Sequence, residues 1–232
     1  MNSKCETSCD CSCNHSFLSS IGKKQVMGVT GLMLCGFLFT HMLGNFLIFK
    51  GPDAFNAYSH ALISNPLILV AEVILTLIFM SHILMAIKIT RENKIARPVE
   101  YYSRKLSGRG ATFASSTMIY TGMITFVFLI FHILGLKYGT VYMIDLHGAP
   151  VRDIYRTTVE YFQSPLHVAG YLIAMISLGI HVKHGFWSAF QSLGLNHPKY
   201  MPKIKMLSCL FGILVMVGYS AFPIFCFLKG GY

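Results

Sequence analysis

The sequence predicts an all-α integral membrane protein, a bundle of five transmembrane helices with its N-terminus in the cytoplasm and its C-terminus outside. Three observations carry that prediction. The 232 residues are 54% hydrophobic and only 12% charged, whereas a soluble domain carries about 25% charged residues. The charges are also segregated, leaving five nearly uncharged stretches long enough to cross a bilayer, which takes about 20 residues. Finally, Lys and Arg divide unevenly between the two ends of those stretches, fourteen on one side and five on the other. The richer side is cytoplasmic by the positive-inside rule. The net charge of +10 belongs to these short loops, so the expected partner is a lipid bilayer and not nucleic acid.

Residues 1–22 form a polar tail in which Cys5, Cys9, Cys11 and Cys13 crowd ahead of His15. Their spacing lacks the C-x2-C pairs of a structural zinc site, and the tail lacks the apolar core of a signal peptide. The membrane domain covers 23–232. Its first span is 24–48, closed by Gly51-Pro52, and the following FNAYSHALI (55–63) reads as an interfacial stretch or short helix. The second span is 66–89, entered through Asn65-Pro66. The third is 113–137, closed by Tyr138-Gly139. Segment 142–162 carries Asp145, Arg152, Asp153, Arg156 and Glu160 and reads as a polar connection on the outer side. The fourth span is 165–193, with Pro165 at a favourable first-turn position. The fifth is 205–228. Cys35, Cys209 and Cys226 lie within spans and read as small hydrophobes.

Four histidines lie deep in these spans, one in each of the first four: His41, His82, His132 and His181. Ionisable groups in hydrocarbon are expensive and mark function by default. Orientation converts their positions into depth. The first and third spans run outward, so His41 and His132 lie toward the outer face. The second and fourth run inward, so His82 and His181 lie toward the cytoplasm. The pairs are therefore His41 with His132 and His82 with His181, in two layers roughly 15 Å apart at 1.5 Å rise per residue. Two histidine pairs at those depths point to two bis-histidine haems and to electron transfer. An ordinary alternative stands beside this, since a membrane histidine often serves as an interhelical hydrogen-bonding residue.

The first span reads Thr30-Gly31, nine residues, His41, and the third reads Thr121-Gly122, nine residues, His132. A glycine lets a planar group or a helix approach closely, which we take as a feature of the outer pair. On the fourth span His184 follows His181 by three residues and competes with it as the inner ligand. Glu72 is the only carboxylate within an apolar span. It is a candidate for proton exchange with a quinone, or else a group hydrogen-bonded to a neighbouring helix.

Residues 180–194 (IHVKHGFWSAFQSLG) and the TG-x9-HM run ending at Met42 resemble the cytochrome b membrane-anchor subunit of succinate dehydrogenase and fumarate reductase, of the single-chain, five-helix, di-haem type. The resemblance covers nearly everything except the Cys-rich tail. It implies haem b ligation by His41 with His132 and by His82 with His181, and it favours His181 over His184. It also implies a bacterial cytoplasmic membrane, a flavoprotein subunit, an iron–sulfur subunit, a quinone such as menaquinone as substrate, and a dimer of complexes as an assembly. The anchor itself would not act on succinate or fumarate. The basic region containing Lys88, Arg91, Lys94, Arg97, Arg104, Lys105 and Arg109 would be docking surface for the iron–sulfur subunit or a set of topology determinants. Some two-haem members carry a glutamate two residues before the fourth-span histidine, and here that position is Gly179. The alternatives are the di-haem anchor of a hydrogenase or formate dehydrogenase, and a membrane protein without a redox cofactor.

Overall fold

A computed structural model describes residues 19–96, 113–146 and 148–231. Cys5, Cys9, Cys11, Cys13, His15, Arg97, Arg104, Lys105, Arg109 and His147 lie outside the described residues. Of the described residues 82% are helical, in seven α-helices, and five helices are long and apolar enough to cross a membrane. Helix α1 (Ser20–Asn45) begins at Ser19, whose hydroxyl accepts from the Gly22 amide at 3.1 Å. That capping interaction satisfies one of the amides a helix start leaves free. A 3-10 turn (Phe46–Lys50) extends α1 to Gly51, whose φ of 105° only glycine adopts without strain. Helix α2 (Pro52–Ile63) is the short helix expected around 55–63.

Helix α3 (Leu67–Ile95) runs six residues past its expected end. Its polar extension is held by Glu92, which pairs at 2.5 Å with Lys23, a buried lysine on α1. Helix α4 (Phe113–His132) passes into a π-helical turn (Ile133–Lys137). The segment expected to be a polar connection contains secondary structure. Strands β1 (Met143–Leu146) and β2 (Ala149–Arg152) form an antiparallel hairpin, and helix α5 (Ile154–Tyr161) follows. The hairpin qualifies the all-α prediction. Its cause is local: Gly148 takes φ 86°, and Asp145 accepts from the Gly148 amide at 2.7 Å, which is the chemistry of a tight turn. Helix α6 (Pro165–Ser192) matches the fourth span to one residue, and α7 (Met201–Lys229) begins four residues earlier than expected.

Helix α6 is the hub of the bundle. It packs on α7, on α4 and on α1, and α3 packs on α1. The α6–α7 seam is closest where Gly179 meets Gly212: a Cβ at either position would lie 2.8 Å from the other's carbonyl oxygen. The Ser208 hydroxyl donates to the Lys183 carbonyl in the same seam. Helix α3 buries none of its residues within the chain.

At the end of the bundle expected to face outward, α2, the hairpin and α5 form a small cap, the outer cap of that expected orientation. Its buried polar centre is Asn56, which donates to Asp153 at 2.8 Å and accepts from the Tyr155 amide at 2.9 Å. Arg152 donates to the carbonyls of Lys137 (2.8 Å) and Leu136 (3.2 Å), placing a cation at the carbonyl end of α4 and its π-turn. Glu160 receives the Tyr142 hydroxyl at 2.5 Å and the Arg156 Nε at 2.8 Å, while the guanidinium lies 4.1 Å from the Tyr142 ring centroid. The hydrogen bond from Tyr142, then that from Arg156, holds the Glu160 carboxyl below its usual range, and the same contact raises the Tyr142 phenol.

Candidate functional site

Four side chains from four helices meet in two places. His82 of α3 faces His181 of α6, with ring centroids 6.4 Å apart and planes at 70°. His41 of α1 faces His132 of α4, with centroids 6.0 Å apart and planes at 89°. These separations have a chemical meaning. A ligating imidazole nitrogen sits about 2.0 Å from its metal and about 1.1 Å from its own ring centroid, so trans ligands of one ion have centroids about 6.2 Å apart. Both pairs lie within 0.2 Å of that value. Twisting either ring about the shared axis leaves ligation unchanged, so both interplanar angles are compatible. His184 stands elsewhere: its ring makes an edge contact with Trp187 at 5.0 Å, and His181 is the residue set against His82.

In the expected orientation His82/His181 is the inner pair and His41/His132 the outer one; the inner pair is braced by hydroxyls on the neighbouring helices. Thr30 Oγ1 lies 3.2 Å from His82 Nδ1, and Thr121 Oγ1 lies 3.1 Å from His181 Nδ1. Beside each threonine is the glycine that admits the ring. A Cβ at Gly31 would lie 3.3 Å from His82 Cε1, and a Cβ at Gly122 would lie 3.2 Å from His181 Cε1. This corrects the expectation for the Thr-Gly motif. The glycines do not serve the outer histidine of their own helix; they make room for the inner histidine of the adjacent one. Eleven residues separate Thr30 from His41 and Thr121 from His132, about 16 Å of helix, so the two layers keep close to the spacing expected.

The outer pair is braced differently. His132 Nδ1 lies 3.1 Å from the Tyr171 hydroxyl, and His41 stacks on Phe37 with centroids 5.2 Å apart. Among the described residues the His41 ring has no hydrogen-bond partner, while its carbonyl accepts from Asn45 Nδ2 at 2.8 Å. Tyr161 of α5 lies behind Tyr171, stacked on His167 with centroids 4.1 Å apart and planes 9° from parallel. The Tyr161 ring sits in a notch that exists because residue 135 is glycine, since a Cβ there would be 2.4 Å from it. Gly44 makes the equivalent notch on α1, where a Cβ would lie 2.6 Å from the Tyr58 hydroxyl.

Glu72 is neither buried nor alone. Its carboxylate pairs with Lys137 at 2.6 Å, and its side chain is 43% exposed. Of the two roles open to it in the sequence, the neighbour-bonded one describes its contacts: the ion pair ties the outer end of α3 to the end of the π-turn after α4. His60 and His167 lie in the outer cap and at the start of α6, away from the two pairs, and His197 lies in the turn before α7.

Sequence reasoning did not find Thr30 and Thr121 as partners of the inner histidines, nor Tyr171 as the partner of His132. The signal for the threonines was present in the repeated motif. Tyr171 has no comparable signal, since one tyrosine in an apolar helix reads as packing.

The donor sets suit a porphyrin-bound iron. Such an iron brings four ring nitrogens with it and needs two further axial ligands, the number each pair provides. Among the described residues no cluster of three or more His, Cys, Asp or Glu side chains is placed to hold a metal ion. No family model, curated protein or solved structure matches this chain.

Proposed function

We propose that this chain is the di-haem cytochrome b membrane anchor of a succinate:quinone oxidoreductase, lying in a bacterial cytoplasmic membrane with its N-terminus inside and its C-terminus outside. The observation that carries the proposal is the presence of two histidine pairs, each drawn from two different apolar helices and each at trans-ligand separation. The resemblance of 180–194 and of the TG-x9-HM run to that family supplies the complex. The orientation rests on the excess of Lys and Arg at one end of the spans.

His41 and His132 would hold an outer haem b, and His82 and His181 an inner one. Haem iron supplies a one-electron carrier when bound. The chain's own residues do the rest. The threonines and Tyr171 fix ring orientation through the second nitrogen of their histidines, the usual role of partners behind a metal ligand. Glu72, paired with Lys137 near the outer layer, is the candidate group for exchanging a proton with a quinone such as menaquinone. The basic cytoplasmic end, including Lys88, Arg91 and Lys94, is the proposed docking surface for the iron–sulfur subunit, which would in turn carry the flavoprotein.

The experiment is purification of the full chain from its own membranes. A pyridine haemochrome assay should give about two haems b per chain, with flavoprotein and iron–sulfur subunits co-purifying. Protein without a Soret band would overturn the proposal. Two haems with a hydrogenase or formate dehydrogenase head would move it to another complex.

A further inference from the structure

Helices α1 and α4 carry one string, Thr-Gly, nine residues, His, two residues, Gly: Thr30-Gly31, His41 and Gly44 in one, and Thr121-Gly122, His132 and Gly135 in the other. Each position of the string makes the equivalent contact in both copies. The threonine meets the inner histidine of the helix packed beside it, the first glycine admits that ring, and the last glycine admits a tyrosine from the outer cap. Helix α1 packs on α3, and α4 packs on α6. Residues 20–95 and 113–192 thus share one pattern of contacts, and each histidine pair takes one residue from each segment.

Proton inventory gives the threonines a definite role. A threonine hydroxyl has one proton to donate. In Thr30 that proton goes to the backbone, with Val26 O at 2.8 Å and Met27 O at 3.1 Å. In Thr121 it goes to Thr117 O and Met118 O, both at 3.1 Å. Each oxygen is left as an acceptor, so the histidine nitrogen facing it must carry hydrogen. Both inner imidazoles are therefore protonated on Nδ1, and the lone pair is on Nε2.

We infer that Thr30 and Thr121 are the positioning residues of the inner pair, fixing the tautomer and ring angle of His82 and His181 so that both Nε2 atoms are presented to one iron. This rests on the proposal that the pairs hold haem. The outer pair is braced without a threonine: Tyr171 holds His132 through a phenol, which can donate or accept, and His41 stacks on an apolar ring. Loss of the threonine oxygens should therefore change one haem and leave the other.

The test uses the full chain in its native membranes, with the inner low-spin ferric EPR signal assigned as the one lost in His82→Ala. Thr30→Val and Thr121→Val keep the side-chain shape and remove the acceptor. The expected result is a shifted inner signal and a loss of inner-haem affinity of about 10- to 100-fold, the usual effect of removing a partner behind a ligand. The outer signal should not move, and Thr30→Ser and Thr121→Ser should restore the inner one. Two haems in the parent with an inner signal unmoved in both valine variants, or an outer signal moved as far, overturn this inference alone. A parent without haem overturns it together with the functional proposal.

Discussion

Gly135→Ala tests how the outer cap is coupled to the outer histidine pair. A methyl at 135 would lie 2.4, 2.7 and 2.9 Å from Cε2, Cζ and the hydroxyl of Tyr161, so the ring must move by about 1 Å to reach ordinary contact at 3.5–4.0 Å. It has little freedom to do so. It is stacked at 4.1 Å on His167, whose Nδ1 lies 2.8 Å from the Tyr161 carbonyl, and it makes an edge contact with Tyr171 at 5.9 Å. Forced overpacking costs about 1–3 kcal/mol, and losing the aromatic contact adds about 0.5–1.5 kcal/mol. Alanine returns up to ~1 kcal/mol through helix propensity. A net loss of about 0.5–4.5 kcal/mol remains, which for a domain of this size lowers the melting temperature by roughly 2–4 °C per kcal/mol. Gly44→Ala is the internal control. Its methyl would meet Tyr58, which is 40% exposed and can swing away, so its melting temperature should stay near the parent's. Thermal unfolding of the purified protein, followed by circular dichroism, reads both. The coupling is refuted if Gly135→Ala melts with the parent, or if Gly44→Ala melts as low as Gly135→Ala.

Three further outcomes follow from the geometry. His181→Ala should remove the inner haem signal while His184→Ala leaves it, because His181 and not His184 faces His82; haem spectra of the two variants check this. Gly179→Ala should loosen the α6–α7 seam, since its methyl would lie 2.8 Å from the Gly212 carbonyl oxygen, and overpacking of that kind costs about 1–3 kcal/mol; the melting temperature is again the measurement. Acid should release the cap at Glu160. Its carboxyl titrates lower when folded than when unfolded, so its contribution is fully present above the ordinary carboxylate range, about pH 4.3, and is lost as pH falls through the folded value. Hydrogen-exchange protection factors of the 142–146 and 148–161 amides, corrected for the intrinsic rate at each pH, should therefore fall in acid in the parent, with a smaller pH dependence in Glu160→Gln.

The spans were legible because an apolar helix needs about 20 residues to cross a bilayer and turn residues bracket each run. Pro165 and Asn65-Pro66 marked helix starts to within a residue or two. The polar end of α3 was not legible, because what holds it is a partner 69 residues away, the Lys23–Glu92 pair. The hairpin at 143–152 was missed because a charged connection has no apolar alternation, and its turn depends on one glycine at positive φ. For the site, depth arithmetic chose the histidine pairs that the helices bring face to face. It misassigned the Thr-Gly motif, since which helix a small residue faces depends on packing angle and not on spacing. The same holds for Gly179. At sequence level it is only a place without a glutamate, whereas in the bundle it lies where the α7 backbone approaches too closely for any side chain without a shift.

The proposal places the four span histidines in two metal-binding pairs, one in each layer. The most direct measurement is haem stoichiometry with paired low-spin EPR signals in the parent and in the four single alanine variants. His41→Ala and His132→Ala should lose one common signal, and His82→Ala and His181→Ala the other, each variant keeping about one haem per chain where the parent has about two. Loss patterns that couple His41 with His82 or His181, or a parent without haem, would contradict the account.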